Sequence, residues 1–356
     1  MITAAVPPAL AQTAEPDLSA LTAAEKPIFL AYDKARGAFA RTLDGYWATT
    51  VDKRKARRQK IGRGEAPTRD DYVWTQPPKY AGPAEPKTIV AKLPKKKSRP
   101  PARADIILPI ADYVAAARDE YDFEPLRLSE AEFKRAYAAE ALSLGFTADQ
   151  IVRVFALETG GMGTHDMQSG IDPDTGRGKP ISTAVGYAQL VDANSVGQVV
   201  EHGARFAARL RQRADAVSSA ARRRALRLKG ETLLAMRADA VTVPNSWSDH
   251  KAYALTPKGM ALHALNLDGD VGPLMQVRKL RDTYDFARKR GRARLTGAEL
   301  EMMNLAGPQS GLEMIEPAAR DVPTANYFER KGYERNGVVR DRTAGELLAE
   351  IGRRME

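Results

Sequence analysis

The chain contains no cysteine and only four histidines. Without thiols it has neither a disulfide framework nor a thiolate metal centre. His165, His202, His250 and His263 are scattered, with no two at ligand spacing on one helix turn, so a zinc site is not expected and no cofactor is expected. Long apolar runs are missing too, since no stretch reaches the roughly 18 consecutive apolar residues of a membrane span. Alternating β patterns and Asn-Gly hairpin signals are scarce, which points to a mainly α fold with at most a small loop or hairpin near 162–190. What remains is a chain of 356 residues, long enough for two domains or for one domain with a sizeable extension.

Positive charge is abundant but local. Of 55 Lys and Arg, 16 lie between 52 and 103, against only 5 of the 45 Asp and Glu. The net charge of +10 therefore belongs to one tract, and the rest of the chain is close to neutral. Seven prolines between 77 and 101 and the run Lys95-Lys96-Lys97 oppose helix and sheet ladders, so 50–105 reads as a basic, Pro-rich extended linker. It would be either an adhesive for a polyanion or a solvated tether. Its aromatics, Tyr72, Trp74 and Tyr80, are too few and irregular for base stacking. Ahead of it, 23–49 forms a short helical segment with Ile28, Tyr32, Ala35 and Phe39 on one side. Residues 1–22 read as a residual signal or disordered N-terminus, because small apolar residues lead to Ala9-Leu10-Ala11, an A-x-A pattern, before Gln12.

The body is organised around the stretch from Phe146 to Gly161. Thr147 and Gln150 form a capping box, Phe146 can staple onto Ile151, and Gly160-Gly161 ends the helix. Ile151, Val154, Phe155 and Glu158 fall at i, i+3, i+4 and i+7, so Glu158 extends an apolar stripe. Partial burial and the negative end of the helix dipole both raise the proton affinity of such a carboxyl, which suits general acid/base work. The plainer alternative is a Glu that snorkels to water or pairs with an arginine. Similar punctuation marks other helices: Ser129/Glu132, Thr296/Glu299, Thr256-Pro257 and Thr343/Glu346. A long arginine-bearing helix or helical pair spans about 205–240.

Three segments taken in order resemble the lysozyme-like lytic transglycosylases of bacterial cell walls. They are Glu158-Thr159-Gly160-Gly161, the Gly-x-x-Gln box Gly186-Tyr187-Ala188-Gln189, and Asn304-Leu305-Ala306-Gly307, which is similar to the family's Asn-Ala-Gly element. The resemblance covers 106–356 and implies a lysozyme-like helical domain, with 205–240 as a helical insertion. It implies that Glu158 cleaves the β-1,4 bond between N-acetylmuramic acid and N-acetylglucosamine. The glutamate would protonate the glycosidic oxygen and then deprotonate the C6 hydroxyl, leaving a 1,6-anhydro end. No second acid is evident beside it, and substrate atoms can replace one.

By the same resemblance, Ser182, Gly186, Tyr187, Gln189, Asn304, Gly307 and Tyr327 bind substrate. The family has Tyr before Asn where this chain has Met303, and it lacks the intervening Leu305. Tyr187 and Tyr327 are the candidates to contact the catalytic carboxyl in its place. The implied partners are peptidoglycan glycan strands, together with acidic wall polymers for the 52–103 tract, and the implied location is periplasmic or exported. Two other readings compete: a non-catalytic wall-binding or scaffold protein, and a cytosolic nucleic-acid binder using the basic tract.

Overall fold

A computed structural model describes residues 17–94, 107–159, 164–172 and 175–356. The expected signal-like start lies largely outside these residues, as do Lys95-Lys96-Lys97 and Gly160-Gly161. The chain is mainly helical, with only isolated antiparallel bridges among the described residues. It divides into two compact units, Met1–Ala104 and Asp105–Glu356.

In the first unit the helix expected over 23–49 continues much further, as α1, Glu25–Gly62. The basic run that was expected to be extended from residue 50 is helical as far as Gly62. The reason lies 10 to 20 residues downstream. Lys53 Nζ donates to the carbonyls of Asp70 (2.6 Å) and Tyr72 (2.9 Å), Lys60 pairs with Asp71 at 2.7 Å, and Arg57 donates to Asp71 O at 3.1 Å with its guanidinium over the Tyr72 ring. Charges that would repel in an open helix are here consumed by the segment folding back on it. Trp47, Thr50, Arg54 and Arg57 form the buried face, at i, i+3, i+7 and i+10. The N-terminal stripe is shifted from expectation: Phe29 is buried with Leu21 and Ile89, whereas Ile28 is exposed. The short helix α2 is Lys87–Val90.

The second unit carries α3 (Ile110–Tyr121), α4 (Glu130–Ser143), α5 (Ala148–Thr159), α6 (Asp192–Ala216), α7 (Ala220–Ala240), α8 (Trp247–Tyr253) and α9 (Pro257–Ala264). They are followed by α10 (Gly272–Arg288), α11 (Gly297–Ala306), α12 (Pro308–Met314), α13 (Arg330–Arg335) and α14 (Ala344–Arg354). The capping boxes at Ser129/Glu132, Thr296/Glu299 and Thr343/Glu346 all form, and Thr147/Gln150 exchange both of their hydrogen bonds.

The stretch around 205–240 is the end of α6 and the whole of α7, broken at Val217–Ser219, and it contributes to a hydrophobic core of the unit. Phe206, Leu210, Leu226, Leu233 and Met236 pack there with Tyr113 of α3 and Leu262 of α9. A buried ion cluster ties α7 to the start of α10: Lys229 Nζ reaches Asp268 (2.6 Å) and Asp270 (2.7 Å), while Asp268 also accepts from the Leu126 and Val271 amides. Unpaired, such carboxylates would cost several kcal/mol each; paired, they fix where α10 begins. The loop expected near 162–190 is present, pinned by single bridges Gln168–Val185, Ile171–Gly178 and Val185–Leu190.

A candidate carboxyl-pair site

Helix α5 ends beside α11, and α10 packs against α11. Glu158 stands in the last turn of α5, Lys279 in the middle of α10, and Glu301 and Asn304 one turn apart on α11. Residues three apart on a helix share a face, so Glu301 and Asn304 meet Glu158 together. Asn304 Nδ2 donates to Glu158 Oε1 at 2.7 Å and lies 3.5 Å from Glu301 Oε2. Lys279 Nζ donates to Asn304 Oδ1 at 3.4 Å, completing the chain. Glu158 keeps partial exposure, whereas Glu301 is 2% exposed.

Burial pushes the Glu158 carboxyl above its ordinary range, opposed by hydrogen bonds with Glu301 and Asn304 and by the charge of Lys279. Glu301 is driven well above the ordinary range, by burial first and then by the neighbouring Glu158 charge. Burial lowers the proton affinity of Lys279, and the nearby carboxylates oppose that effect. Tyr137 of α4 borders the pair; burial and then the charges of Glu158 and Glu301 make its hydroxyl a weaker acid. That hydroxyl is sealed, with no hydrogen-bond partner among the described residues.

The remaining sequence-derived residues fall into two groups. Asn304 touches Glu158 directly, and Gly307, at φ +82°, ends α11 and lets the chain turn at once into α12. The 182–189 residues instead build a turn. Gly186 has φ +81°, and a Cβ there would lie 2.2 Å from Gln276 Nε2. Gln189, at φ +39°, donates to Gly186 O at 2.8 Å, so its amide braces the turn. The Ser182 hydroxyl accepts from the Ala184 amide at 3.1 Å, and its carbonyl accepts from Gln168 Nε2 at 2.9 Å.

Tyr187, a candidate to contact the catalytic carboxyl, is buried and donates to Glu130 instead. Burial raises the Glu130 carboxyl, but hydrogen bonds from Tyr187 and His165 outweigh it and hold the group below its ordinary range. The Tyr187 ring meets Phe155 of α5 and Tyr137 of α4 edge-on, at 4.6 and 5.4 Å between centroids, which couples this turn to the site helix by packing. Tyr327 is buried in the turn that follows Thr324–Asn326. Among the described residues, Glu158 takes its hydrogen bond from Asn304, with Glu301 on the same amide.

No protein-family model, no curated protein and no solved structure matches the chain.

Sequence reasoning missed Glu301, Lys279 and Tyr137. Glu301 sits in Leu300-Glu301-Met302-Met303, where three buried apolar neighbours frame one acid. Its i−3 relation to Asn304 was the signal that could have found it. Lys279 and Tyr137 carried no comparable signal, because each becomes part of the site only when α4 and α10 pack around α5 and α11. Chemically, the cluster sets two carboxyls of raised proton affinity side by side, one of them on a partly exposed residue, an arrangement suited to giving up a proton and taking one back.

Proposed function

We propose that the protein is a peptidoglycan lytic transglycosylase, with a lysozyme-like domain over 106–356 and Glu158 as its single acid/base. The observation that carries this reading is the 2.7 Å hydrogen bond from Asn304 to Glu158, between two segments 146 positions apart that the resemblance picks out independently. The elevated proton affinity of Glu158 supports it further. Protonated Glu158 gives its proton to the bridging oxygen as the bond to the C1 of N-acetylmuramic acid breaks. The resulting carboxylate takes the C6 hydroxyl proton as that oxygen closes on C1, which yields a 1,6-anhydro end and consumes no water. In this reading the turn at Gly186–Gln189 and the Asn304–Gly307 corner flank the glycan, and the enzyme acts outside the cytoplasm. Digestion of purified sacculi by wild type and Glu158→Gln, with mass analysis of the ends released, tests it.

One observation favours a second reading, a non-catalytic wall-binding protein on the same scaffold. Glu158 already accepts a hydrogen bond within the chain, from Asn304. Binding of sacculi without release of soluble muropeptides would select it.

A further inference from the structure

A lone acid/base glutamate does not require Glu301. That residue is 2% exposed, in an apolar stretch of α11, where a carboxylate is expensive to keep. It is nonetheless held to the same amide as Glu158, at 3.5 and 2.7 Å from Asn304 Nδ2, so one side-chain amide brings the two carboxyl groups side by side. Two ionised carboxylates gathered on one amide in a buried setting repel each other, which favours keeping a proton on one of them. Charge balance gives the same count. Among the described residues the cation facing the pair is Lys279, and one ammonium compensates one carboxylate; a second negative charge is unmatched among them.

We propose that Glu158 and Glu301 hold a single proton between them at neutral pH, and that Glu301 is the positioning residue that keeps it available to Glu158. The sealed member stores the proton and the partly exposed member uses it. The use rests on the transglycosylase reading; the shared proton does not.

Protons balance through the cycle. Glu158 delivers the shared proton to the leaving oxygen as the C1–O bond breaks, and the electron pair of that bond leaves with the oxygen. Both carboxyls are then ionised beside the cationic sugar, which they stabilise electrostatically, while the Lys279 ammonium leaves the pair with a single net negative charge. As the C6 oxygen bonds to C1, its proton returns to the pair and the resting charge is restored.

Among the described residues, few groups face the pair. Tyr137 approaches from α4, Lys279 from α10, itself within the field of Asp282, and Asn304 from α11. On α14, which packs against α5 and α11, Glu350 is taken up by Arg353 and Arg354. On α5, Asp149 is paired with Arg153. The titration of the pair is therefore governed by Lys279 and by the two carboxyls themselves.

The test is a carboxyl carbon NMR titration of the full chain labelled in Glu, run beside pH profiles of sacculus cleavage, for wild type, Glu301→Gln and Lys279→Met. Wild type should titrate in two coupled steps, the upper one above the ordinary Glu range. Glu301→Gln should leave one step at lower pH, move the alkaline limb of activity down by about one pH unit, and lower kcat at pH 7 by roughly 10- to 100-fold, within the usual span of a general acid. Lys279→Met should move the same limb the opposite way, which loss of packing would not do. If Glu301→Gln does not fold, Lys279→Met carries the test alone. Unchanged titration and an unchanged limb in the variants would overturn the shared proton. Coupled titration in a protein that leaves sacculi intact would support the pair and sink the enzyme reading.

Discussion

The amide of Asn304 lies 2.7 Å from Glu158 and 3.5 Å from Glu301, so one side chain orients both carboxyls. This places an acid that the sequence singles out beside one that it conceals.

The pair should make stability depend on pH in an unusual direction. A carboxyl whose folded proton affinity exceeds its unfolded value leaves the folded state binding more protons, so stability falls as pH rises. The window opens at the unfolded Glu value of about 4.3 and closes where the raised folded groups ionise. Within it, urea unfolding of wild type should lose up to about 1.4 kcal/mol per pH unit for each proton retained. Glu301→Gln should flatten this slope; an equal slope in the variant would mean that other groups cause it.

Gly186→Ala should destabilise the second unit by about 2–3 kcal/mol, combining a left-handed backbone with overpacking. The obstacle is Gln276, which is fully buried and whose Oε1 accepts from the Ala188 amide at 3.3 Å. Gly186→Ala combined with Gln276→Ala should recover part of the packing loss, but not the backbone strain. A single variant as stable as wild type would contradict this account of the turn.

The basic residues of α1 should separate into two kinds. Arg57→Ala removes a buried guanidinium that bonds Asp71 O and covers the Tyr72 ring, and should cost about 2 kcal/mol. Lys55→Ala, at an exposed position, should change stability by less than about 0.5 kcal/mol. Chemical denaturation followed by Trp47 fluorescence reads both, and equal effects would contradict the division.

Local chemistry was legible wherever a helix announces its own start. Thr147 with Gln150, Ser129 with Glu132 and Thr296 with Glu299 are signals between residues three apart, and each appears as read. Nonlocal compensation was not legible. The run at 52–60 reads as self-repelling until Asp71 returns to pair with Lys60 and the carbonyls of Asp70 and Tyr72 accept from Lys53. The site followed the same rule. Glu158 and Asn304 stood out by pattern, whereas Tyr187, one of two candidates to contact Glu158, donates to Glu130, which lies 57 positions away on α4.

The central claim is most directly tested by the chemistry of the ends released from purified sacculi. Wild type should release muropeptides carrying 1,6-anhydro-N-acetylmuramic acid, lighter by one water than the hydrolytic product, and Glu158→Gln should lose at least about 10²-fold in rate, the lower range for a general acid/base. Equal release by the two proteins, or no release by wild type, would contradict the account.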